Sequence, residues 1–340
     1  MKAAFFVQHG SPDVMMVGEL ADPVPAPGDV VIRVRAASLN RVDKWTRDGW
    51  PGLKLVMPHI PGSDGAGVVE VPGDSQFKKG DRVVINTNIG CDFCEFCLAG
   101  QDNLCAQWRL LGENTNGTYA EYVVVPARQL LRIPDEVSFE TAAAAALVYL
   151  TAWHSLITKG GLRAGEKVLI IGAGGGVNSA AIQIAKLAGC NVFVVGSNEK
   201  KLTAAHSLGA DFLLDRSKED WGKKIYQLTN KRGVDVVVDN VGAATMMTSF
   251  RAVRRGGRVL TVGNTSGPKY EIDNRFIFGK HITLIGSTMG TRNDFANVMK
   301  LVFDGKLKIP VDSCFPLSDV RLAHEKMENG DYFGKIVLIL

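Results

Sequence analysis

Hydrophobic and polar positions divide the chain into two differently patterned parts. From residue 1 to about residue 133, short β-rich segments such as VVIRVRAASL, GAGVVEV and AEYVVVP alternate with Pro and Gly. This spacing predicts a compact antiparallel or barrel-like domain. From Lys167 onward, apolar strands such as KVLII, NVFVVG, VDVVVDNVG and HITLIGS alternate with helical stretches. That alternation predicts a parallel sheet with crossover helices, and the fold class is therefore α/β.

End signals and amphipathic spacing predict three further helices and a final strand. Ser138 is the expected N-cap of a helix through ETAAAAALVYLTAW, with Thr141 where a capping box carries Glu. Amphipathic helices are predicted near 293–304 and 318–328. The segment GKIVLIL then predicts a closing strand.

Composition and charge exclude several classes of protein. The 340 residues are 46% hydrophobic and carry a net charge of +4, with 39 scattered Lys and Arg, so nucleic acid is not an expected partner. The apolar run from Ala3 to Val7 is too short for a signal peptide. The longest apolar run, Ala142 to Trp153, is shorter than the ~20 residues that cross a bilayer. We expect a cytoplasmic protein with no membrane partner.

Four of the six cysteines crowd into GCDFCEFCLAGQDNLC, at Cys91, Cys94, Cys97 and Cys105. Such crowding indicates a metal site in a reducing compartment. Ferredoxin motifs place the fourth Cys after three residues and follow it with Pro, whereas here seven residues intervene and Ala106 follows. Four thiolates form a closed tetrahedral zinc site without an open position. We therefore predict one structural Zn²⁺ per subunit, which holds the lobe of residues 90–106 and does not react.

The segment KVLIIGAGGGVNSAAIQIAK has the order strand, glycine turn and helix. Glycines let the backbone approach a pyrophosphate, and the amides at the helix N-terminus face its charge. Because further βα units follow, the turn predicts a dinucleotide site. The candidate cofactor-binding residues here and at two later glycines are Gly172, Gly174, Gly175, Gly176, Val177, Gly242 and Gly263.

The second strand of this part, NVFVVG, ends without the carboxylate that an NAD site uses to bind the ribose hydroxyls. Gly196 and Ser197 stand there, followed by Lys200 and Lys201. A small residue leaves room for a 2′-phosphate, a hydroxyl donates to it and a Lys neutralises it, so NADP(H) is favoured. The alternatives are Ser197 as a helix N-cap, the lysines as a solvated helix face and Glu199 as the ribose acceptor.

The whole chain resembles the medium-chain dehydrogenase/reductase superfamily, which includes zinc-type alcohol dehydrogenases and quinone oxidoreductases. The matching segments include AASLNRVDKWTRDG, PGSDGAGVV, the four-cysteine lobe, GTYAEYVVVP, the glycine turn, LGAD, LIGSTMG and FGKIVL. The resemblance implies a GroES-like β-rich catalytic domain (1–147 and 286–340) and a Rossmann domain with a doubly wound parallel sheet (148–285). It also implies a cofactor cleft between them and a homodimer or homotetramer. The family's turn ends in G-G-V-G; Asn178 stands last here, and we expect the turn to be kept because Asn tolerates unusual φ.

The resemblance also implies where alcohol dehydrogenases bind a catalytic zinc. Its ligand positions, none of which carries the expected residue here, fall on Asn40, Ser63 (beside Asp64) and Leu147. The proton-relay positions fall on Val42 and Trp45. We therefore expect no catalytic zinc. The patterns L-N-x-x-D and G-x-D-x-x-G are those of the quinone oxidoreductase branch, so the chain resembles a hybrid of the two.

Without a Lewis acid, alcohol oxidation loses several kcal/mol of alkoxide stabilisation. Hydride transfer to a conjugated acceptor needs less, because conjugation spreads the charge and a few hydrogen bonds stabilise the enolate. We therefore expect an NADPH-dependent reductase of small-molecule α,β-unsaturated carbonyls, enoyl thioesters or quinones. The candidate catalytic residues are Asn40 as the amide that orients the substrate carbonyl, Asp43, Ser63 and Asp64 around it, and Thr151 near the nicotinamide.

Asp64 and three nearby aromatic residues could instead have structural roles. Asp64 is as readily a carboxylate that binds backbone amides or Arg41. Trp45, Trp50 and Tyr149 either wall an apolar pocket or pack in the core. Two other functions stay open: an alcohol dehydrogenase that recruits zinc through Ser63, Asp64 and water, and an NADPH-binding sensor or interaction protein without turnover.

Overall fold

Two units, each with its own large sheet, make up the computed structural model, which describes all residues from Met1 to Leu340. One unit comprises Met1–Leu150 and Thr291–Leu340, and the other comprises Thr151–Gly290. The boundaries predicted after residues 147 and 285 lie a few residues earlier in the chain.

Seventeen strands follow one another along the chain. They are β1 (Lys2–Phe5), β2 (Met16–Glu19), β3 (Asp29–Ser38), β4 (Asp64–Val71), β5 (Arg82–Ile85), β6 (Asn88–Ile89), β7 (Arg109–Leu110), β8 (Tyr122–Pro126), β9 (Leu130–Arg132), β10 (Lys167–Ile171), β11 (Asn191–Gly196), β12 (Phe212–Asp215), β13 (Val234–Asp239), β14 (Val253–Thr261), β15 (Thr283–Gly286), β16 (Val311–Pro316) and β17 (Lys335–Ile339).

Ten α-helices connect or follow these strands. They are α1 (Arg41–Asp48), α2 (Glu95–Leu98), α3 (Phe139–Trp153), α4 (Gly176–Leu187), α5 (Glu199–Ser207), α6 (Trp221–Leu228), α7 (Met246–Ala252), α8 (Asn274–Lys280), α9 (Arg292–Phe303) and α10 (Val320–Asn329). A π-helical turn, His154–Lys159, continues α3.

The unit of residues 151–290 contains a six-stranded sheet in the order β12-β11-β10-β13-β14-β15. Every neighbouring pair is parallel. All six residues of β13 are buried, as expected for a strand covered on both faces. Numbered within the unit, the strand order is 3-2-1-4-5-6, which is the order of dinucleotide-binding sheets. The predicted doubly wound parallel sheet is confirmed.

The other unit contains a seven-stranded sheet in which β3 pairs with β17, β4 and β8. These three pairings are antiparallel, and only β16 and β17 run parallel. Ser38 at the end of β3 lies opposite Asp64 on one side and Val337 on the other. The C-terminal end of β3 therefore lies beside the first residues of β4 and β17, and this junction positions the candidate site.

The predicted helix ends agree closely with the structure. Ser138 Oγ accepts a hydrogen bond from the Thr141 amide at 3.1 Å, so it caps α3 as predicted. The amphipathic helices predicted near 293–304 and 318–328 are α9 and α10, and GKIVLIL forms β17. Helix α9 begins one residue earlier than predicted, since Thr291 and Asp294 form a reciprocal capping box at its start.

Helix α3 extends beyond the apolar run Ala142–Trp153 that it contains. Together with its π-helical continuation it spans Phe139–Lys159, which by length and composition is enough to cross a membrane. However, 72% of its most apolar window is buried inside the structure, including the run of alanines at 142–146. Such burial is typical of a core helix, whose apolar surface is covered by protein.

Candidate functional site

A cluster of buried polar side chains lies where β3, β4 and β17 meet. Asn40 follows β3 and caps α1, Asp64 opens β4, and Lys335 opens β17. Their exposed fractions are 5%, 0% and 3%. The antiparallel pairing of β3 with both other strands brings these distant positions together. We call these three residues the Asn40–Asp64–Lys335 cluster.

Asp64 is the centre of this cluster. Its Oδ2 accepts hydrogen bonds from Asn40 Nδ2 at 2.8 Å and from Lys335 Nζ at 3.1 Å. Its Oδ1 accepts from the Leu147 backbone amide at 2.8 Å. Three positions were implied for catalytic-zinc ligands: Asn40, Ser63 and Leu147. Two of them, Asn40 and Leu147, donate hydrogen bonds to the carboxylate of Asp64, which is the residue next to the third. Asp64 binds a backbone amide, as its structural alternative predicted, but its cation is Lys335 and not Arg41.

The orientation of the Asn40 amide follows from its contact with Lys335. Asn40 Oδ1 lies 2.5 Å from Lys335 Nζ, and because an ammonium only donates, this amide atom is the oxygen. The amide nitrogen then donates to Asp64 and, at 3.4 Å, to the Ser38 carbonyl. Both amide hydrogens therefore point to protein acceptors in this structure. The predicted role of Asn40, orienting the substrate carbonyl, stays a prediction.

Asp43 contacts the cluster through Asn40 and is fully buried. Its Oδ2 accepts from the backbone N–H of Asn40 at 2.7 Å and from the Tyr119 hydroxyl at 3.0 Å. Its Oδ1 accepts from both the amide (3.2 Å) and the hydroxyl (3.1 Å) of Ser63. Burial raises the pKa of Asp43 to about 6, against the opposing effect of the hydrogen bond from Asn40. The hydroxyl of Ser63 is therefore committed to Asp43, and both residues hold the backbone of the site.

Tyr119 was not predicted from the sequence. Burial and the neighbouring charge of Asp43 raise the pKa of Tyr119 well above its usual value of 10, so its hydroxyl remains a donor at neutral pH. No local pattern marks this tyrosine, which lies 76 positions from the carboxylate that it binds.

The other predicted side chains divide between core and surface. Thr151 is buried in the unit of residues 151–290, where its hydroxyl donates to Met289 Sδ at 3.9 Å. Tyr149 is also buried, and its hydroxyl donates to the Lys308 carbonyl at 2.5 Å, so it packs in the core and does not wall a pocket. Trp45 and Trp50 are 39% and 41% exposed and present apolar surface near α1.

The four cysteines of the lobe converge on one point. Their sulfur atoms all lie within 4.8 Å of one another. A tetrahedral zinc with Zn–S distances of ~2.3 Å separates its sulfurs by ~3.8 Å, so a small contraction completes the site. Backbone amides also point at the sulfurs: Cys91 N lies 3.3 Å from Cys105 Sγ, and Cys94 N lies 3.4 Å from Cys91 Sγ. Such donors favour thiolates, and the residues present fit a four-thiolate metal site.

The glycine turn forms between β10 and α4. Gly172 and Gly175 adopt φ of 108° and 90°, which other residues rarely adopt. Gly175 is the N-cap of α4 and has no side chain to cap the helix, so the first amides of α4, at Gly176 and Val177, face outward for an anion. The turn with Gly174 therefore fits a dinucleotide pyrophosphate.

Asn178 keeps this turn for a different reason than predicted. It lies inside α4 with helical backbone, so unusual φ plays no part. Its side-chain nitrogen donates to the carbonyls of Ile171 and Gly172, both at 3.0 Å. The amide thereby ties the helix to the end of β10, where the family's glycine allows close packing.

The later glycines lie at the same edge of the parallel sheet. The Gly242 amide donates to Asp239 Oδ1 at 3.1 Å, just beyond β13. Gly263 follows β14, and a Cβ there would lie 3.2 Å from the Asn240 carbonyl oxygen. Ligands of open α/β sheets bind at the carboxyl ends of the strands, which is where these glycines stand.

The end of β11 carries no carboxylate of its own, and its glycine is closely packed. A Cβ on Gly196 would lie 2.8 Å from side-chain atoms of Ala173 and Leu202. Ser197 is exposed but is not the N-cap of α5; that is Asn198, which accepts from the Lys201 amide at 3.2 Å. The N-cap alternative for Ser197 is therefore wrong.

The surroundings of the β11 end include a cation that sequence reasoning missed. The Arg216 amide, directly after β12, donates to the Gly196 carbonyl at 2.8 Å, and its side chain is exposed. Lys200 is exposed in the first turn of α5, and Glu199 forms an exposed ion pair with Lys218 at 3.5 Å. Parallel pairing of β11 and β12 places Arg216 beside Ser197, which only the sheet order reveals.

Comparisons with known proteins agree with this geometry. A family model described as alcohol dehydrogenase GroES-like domain matches residues 26–135, and one described as zinc-binding dehydrogenase matches residues 176–304. The chain is 34% identical to an alcohol dehydrogenase of Geobacillus stearothermophilus over 99% of both chains. It is 30% identical to a quinone oxidoreductase of Homo sapiens, over 100% of this chain and 98% of the relative. A solved structure of an NAD-dependent alcohol dehydrogenase matches with 41% identity and a TM-score of 0.96, over 100% of both chains.

Proposed function

The chain belongs to the medium-chain dehydrogenase/reductase superfamily and is an oxidoreductase, and from that premise we propose a specific reaction. In this proposal, hydride passes from NADPH to an activated alkene, a quinone or a related carbonyl compound, without a catalytic zinc. The structural zinc of the four-cysteine lobe is the only metal that the proposal requires.

The observation that carries this proposal is the bonding of the Asn40–Asp64–Lys335 cluster. A catalytic zinc needs three protein ligands and one open position. Asn40 Oδ1 instead binds the Lys335 ammonium, and the Ser63 hydroxyl donates to Asp43. Leu147 offers no ligand atom in its side chain. The positions that hold the zinc in alcohol dehydrogenases are thus occupied by an internal polar network.

The chemistry that remains suits a conjugated acceptor. NADPH, when bound, would supply a hydride to the β-carbon of the acceptor. The alkene electrons would then form the new double bond of an enolate, the carbonyl π electrons would move onto oxygen, and a proton from water would complete the reduction. The chain contributes binding: the outward amides at the start of α4 hold the pyrophosphate, and the exposed indoles of Trp45 and Trp50 suit an apolar acceptor.

The preference for NADP(H) rests on the end of β11. Ser197 provides a hydroxyl, and the exposed side chains of Lys200 and Arg216 provide positive charge for a 2′-phosphate. Lys201 stands in the same turn of α5. Several relatives carry NAD-dependent names, so this preference is a property proposed from this chain's own residues.

We also propose a homodimer or homotetramer. Strand β15 is the last strand of its sheet, and Leu284 on it is exposed, which leaves an apolar edge for a second copy. The molar mass in solution, measured by light scattering, should be two or four times 36.7 kDa; a monomer would refute the assembly.

The reaction itself is tested with initial rates on one protein preparation. NADPH oxidation is followed with a quinone, an enone and an enoyl thioester, and NADP⁺ reduction with primary and secondary alcohols. We expect reduction of at least one conjugated acceptor, faster with NADPH than with NADH and unchanged after a brief incubation with chelator. Alcohol-dependent NADP⁺ reduction that the chelator abolishes would instead establish a zinc alcohol dehydrogenase. NADPH binding without turnover on any substrate would indicate a sensor.

A further inference from the structure

The candidate site already holds a cation, which belongs to the chain itself. Lys335 Nζ lies 2.7 Å from the Leu39 carbonyl, 2.5 Å from Asn40 Oδ1 and 3.1 Å from Asp64 Oδ2. An ammonium carries three hydrogens, so each hydrogen has one oxygen acceptor. We infer that these three oxygens form an internal cation site filled by a tethered ammonium, and that Lys335 is the positioning residue of the reaction centre.

The surroundings of Lys335 indicate that its charge has a role other than stability. It opens β17, whose next three residues are apolar and buried, and it is itself only 3% exposed. Burying an ammonium is costly unless it is paired and hydrogen-bonded. Replacing a buried ion pair by apolar residues is often neutral or stabilising. An apolar residue at position 335 would therefore stabilise the start of β17 at least as well as this lysine does.

The ammonium determines what its two side-chain partners do. It holds the Asn40 oxygen toward itself, which turns the amide nitrogen toward Asp64. It also donates to the same oxygen of Asp64 that accepts from Asn40, so the three groups form a closed triangle of hydrogen bonds. Without the ammonium, the Asn40 amide is free to rotate, and the buried Asp64 carboxylate loses its only cation in the cluster.

The effect on turnover rests on the proposed function. Asn40 and Asp64 stand at and beside positions where family members hold a catalytic zinc, so their geometry shapes the surface that meets the reacting acceptor. A shift of a catalytic group by ~1 Å can lower turnover by ~10²-fold. We therefore assign to Lys335 a place in turnover and not in NADPH affinity, since it lies outside the glycine turn and the β11 end.

The cation site is tested without any substrate. Lys335→Ala removes the side chain beyond Cβ, a volume that n-propylammonium matches, and should lower the melting temperature by ~5–10 °C. Propylammonium at tens of millimolar should recover part of this loss in the variant and should not shift the wild type. Equal recovery by 1-propanol, which fills the volume without charge, would contradict a cation site, and so would a variant as stable as the wild type.

The positioning role is tested with two substitutions of similar size. Lys335→Met keeps the length without the charge and should lower kcat by ~10²-fold, while the NADPH dissociation constant stays within about twofold. Lys335→Arg keeps a cation and should retain most of the turnover that Lys335→Met loses. Wild-type kcat in Lys335→Met would overturn the role. If the wild type reduces no acceptor, the proposed function fails, but the propylammonium experiment still decides whether the cation site exists.

Discussion

His324 shows how burial and one contact together determine the protonation and the tautomer of a histidine. Its Nδ1 lies 2.9 Å from Nη1 of Arg47, and both side chains are fully buried. Because a guanidinium only donates, Nδ1 accepts, and the proton of the neutral ring lies on Nε2. Burial lowers the pKa of His324 to about 3, and the charge of Arg47 adds to this effect while Asp48 opposes it.

This histidine should make the fold sensitive to mild acid. In the unfolded chain a histidine binds a proton below about pH 6.5, whereas folded His324 stays neutral until about pH 3. Stability is therefore lost as the pH falls below 6.5, by ~1.4 kcal/mol for each pH unit. Asp43 has the opposite sign, because its raised pKa costs stability as the pH rises from about 4 to about 6. A variant at His324 isolates its share.

Urea unfolding at pH 7 and pH 5 measures this share. The substitution His324→Gln keeps an acceptor for Arg47 but does not titrate, so its loss of stability between the two pH values should be ~2 kcal/mol smaller than that of the wild type. His206→Gln, which replaces an exposed histidine that has no contact with Arg47, serves as the control for a histidine substitution. An unchanged pH dependence in His324→Gln would show that this ring is not neutral in the fold.

Which residues form the site was only partly predictable from the sequence. Asn40, Asp43, Ser63 and Asp64 lie in the patterns L-N-x-x-D and G-x-D-x-x-G, and the family resemblance of these patterns implied a common site. Lys335 lies 271 positions from Asp64, and only the register of β3 with β17 brings it there. Side-chain pairs of this kind depend on sheet pairing, which local patterns do not encode.

At the scale of elements, the four-cysteine lobe is docked on the start of α9. Arg292, the first residue of α9, donates from Nη2 to Asp92 Oδ1 at 2.6 Å, and its backbone amide donates to Asp102 Oδ1 at 2.9 Å. Arg128 forms a second ion pair with Asp92 and donates to the Gly90 carbonyl at 3.3 Å. The carboxylates thereby face the positive end of the helix dipole. The lobe and the helix should therefore stabilise each other.

This docking predicts the rate at which the lobe loses its metal. Arg292→Ala removes one half-exposed ion pair, which is worth at most ~1 kcal/mol, so zinc release to a chromogenic chelator should accelerate by up to about fivefold. Arg321→Ala removes ion pairs with Asp13 and Glu325, neither of which belongs to the lobe or to α9, and should leave the release rate unchanged. Equal release rates in both variants would mean that α9 does not help to hold the lobe.

Elements with local end signals were well predicted, and those that depend on distant partners were not. Ser138 marked the start of α3, and amphipathic spacing placed α9 to within one residue of its start at Arg292. By contrast, Asn178 was expected to adopt unusual φ, because its bonds to the carbonyls at the end of β10 cannot be seen in a turn pattern.

At the scale of the whole molecule, the change of hydrophobic period near Pro134 predicted two differently built parts. The pattern alone did not show that both chain ends share one sheet; the family resemblance implied it, and β17 beside β3 confirms it. This return of the chain completes the Asn40–Asp64–Lys335 cluster, because it delivers Lys335 to Asn40 and Asp64. The four cysteines that could hold a metal ion form a separate cluster in the same unit.

The central claim is that the chain holds a structural zinc but no catalytic one, and the zinc content per subunit tests it most directly. Elemental analysis is done on protein purified without a metal-affinity step from zinc-supplemented cells, with Cys105→Ser as the variant that opens the lobe. We predict one zinc per subunit in the wild type and a content well below one in the variant. Two zinc ions in the wild type, with one retained in Cys105→Ser, would contradict a metal-free reaction centre.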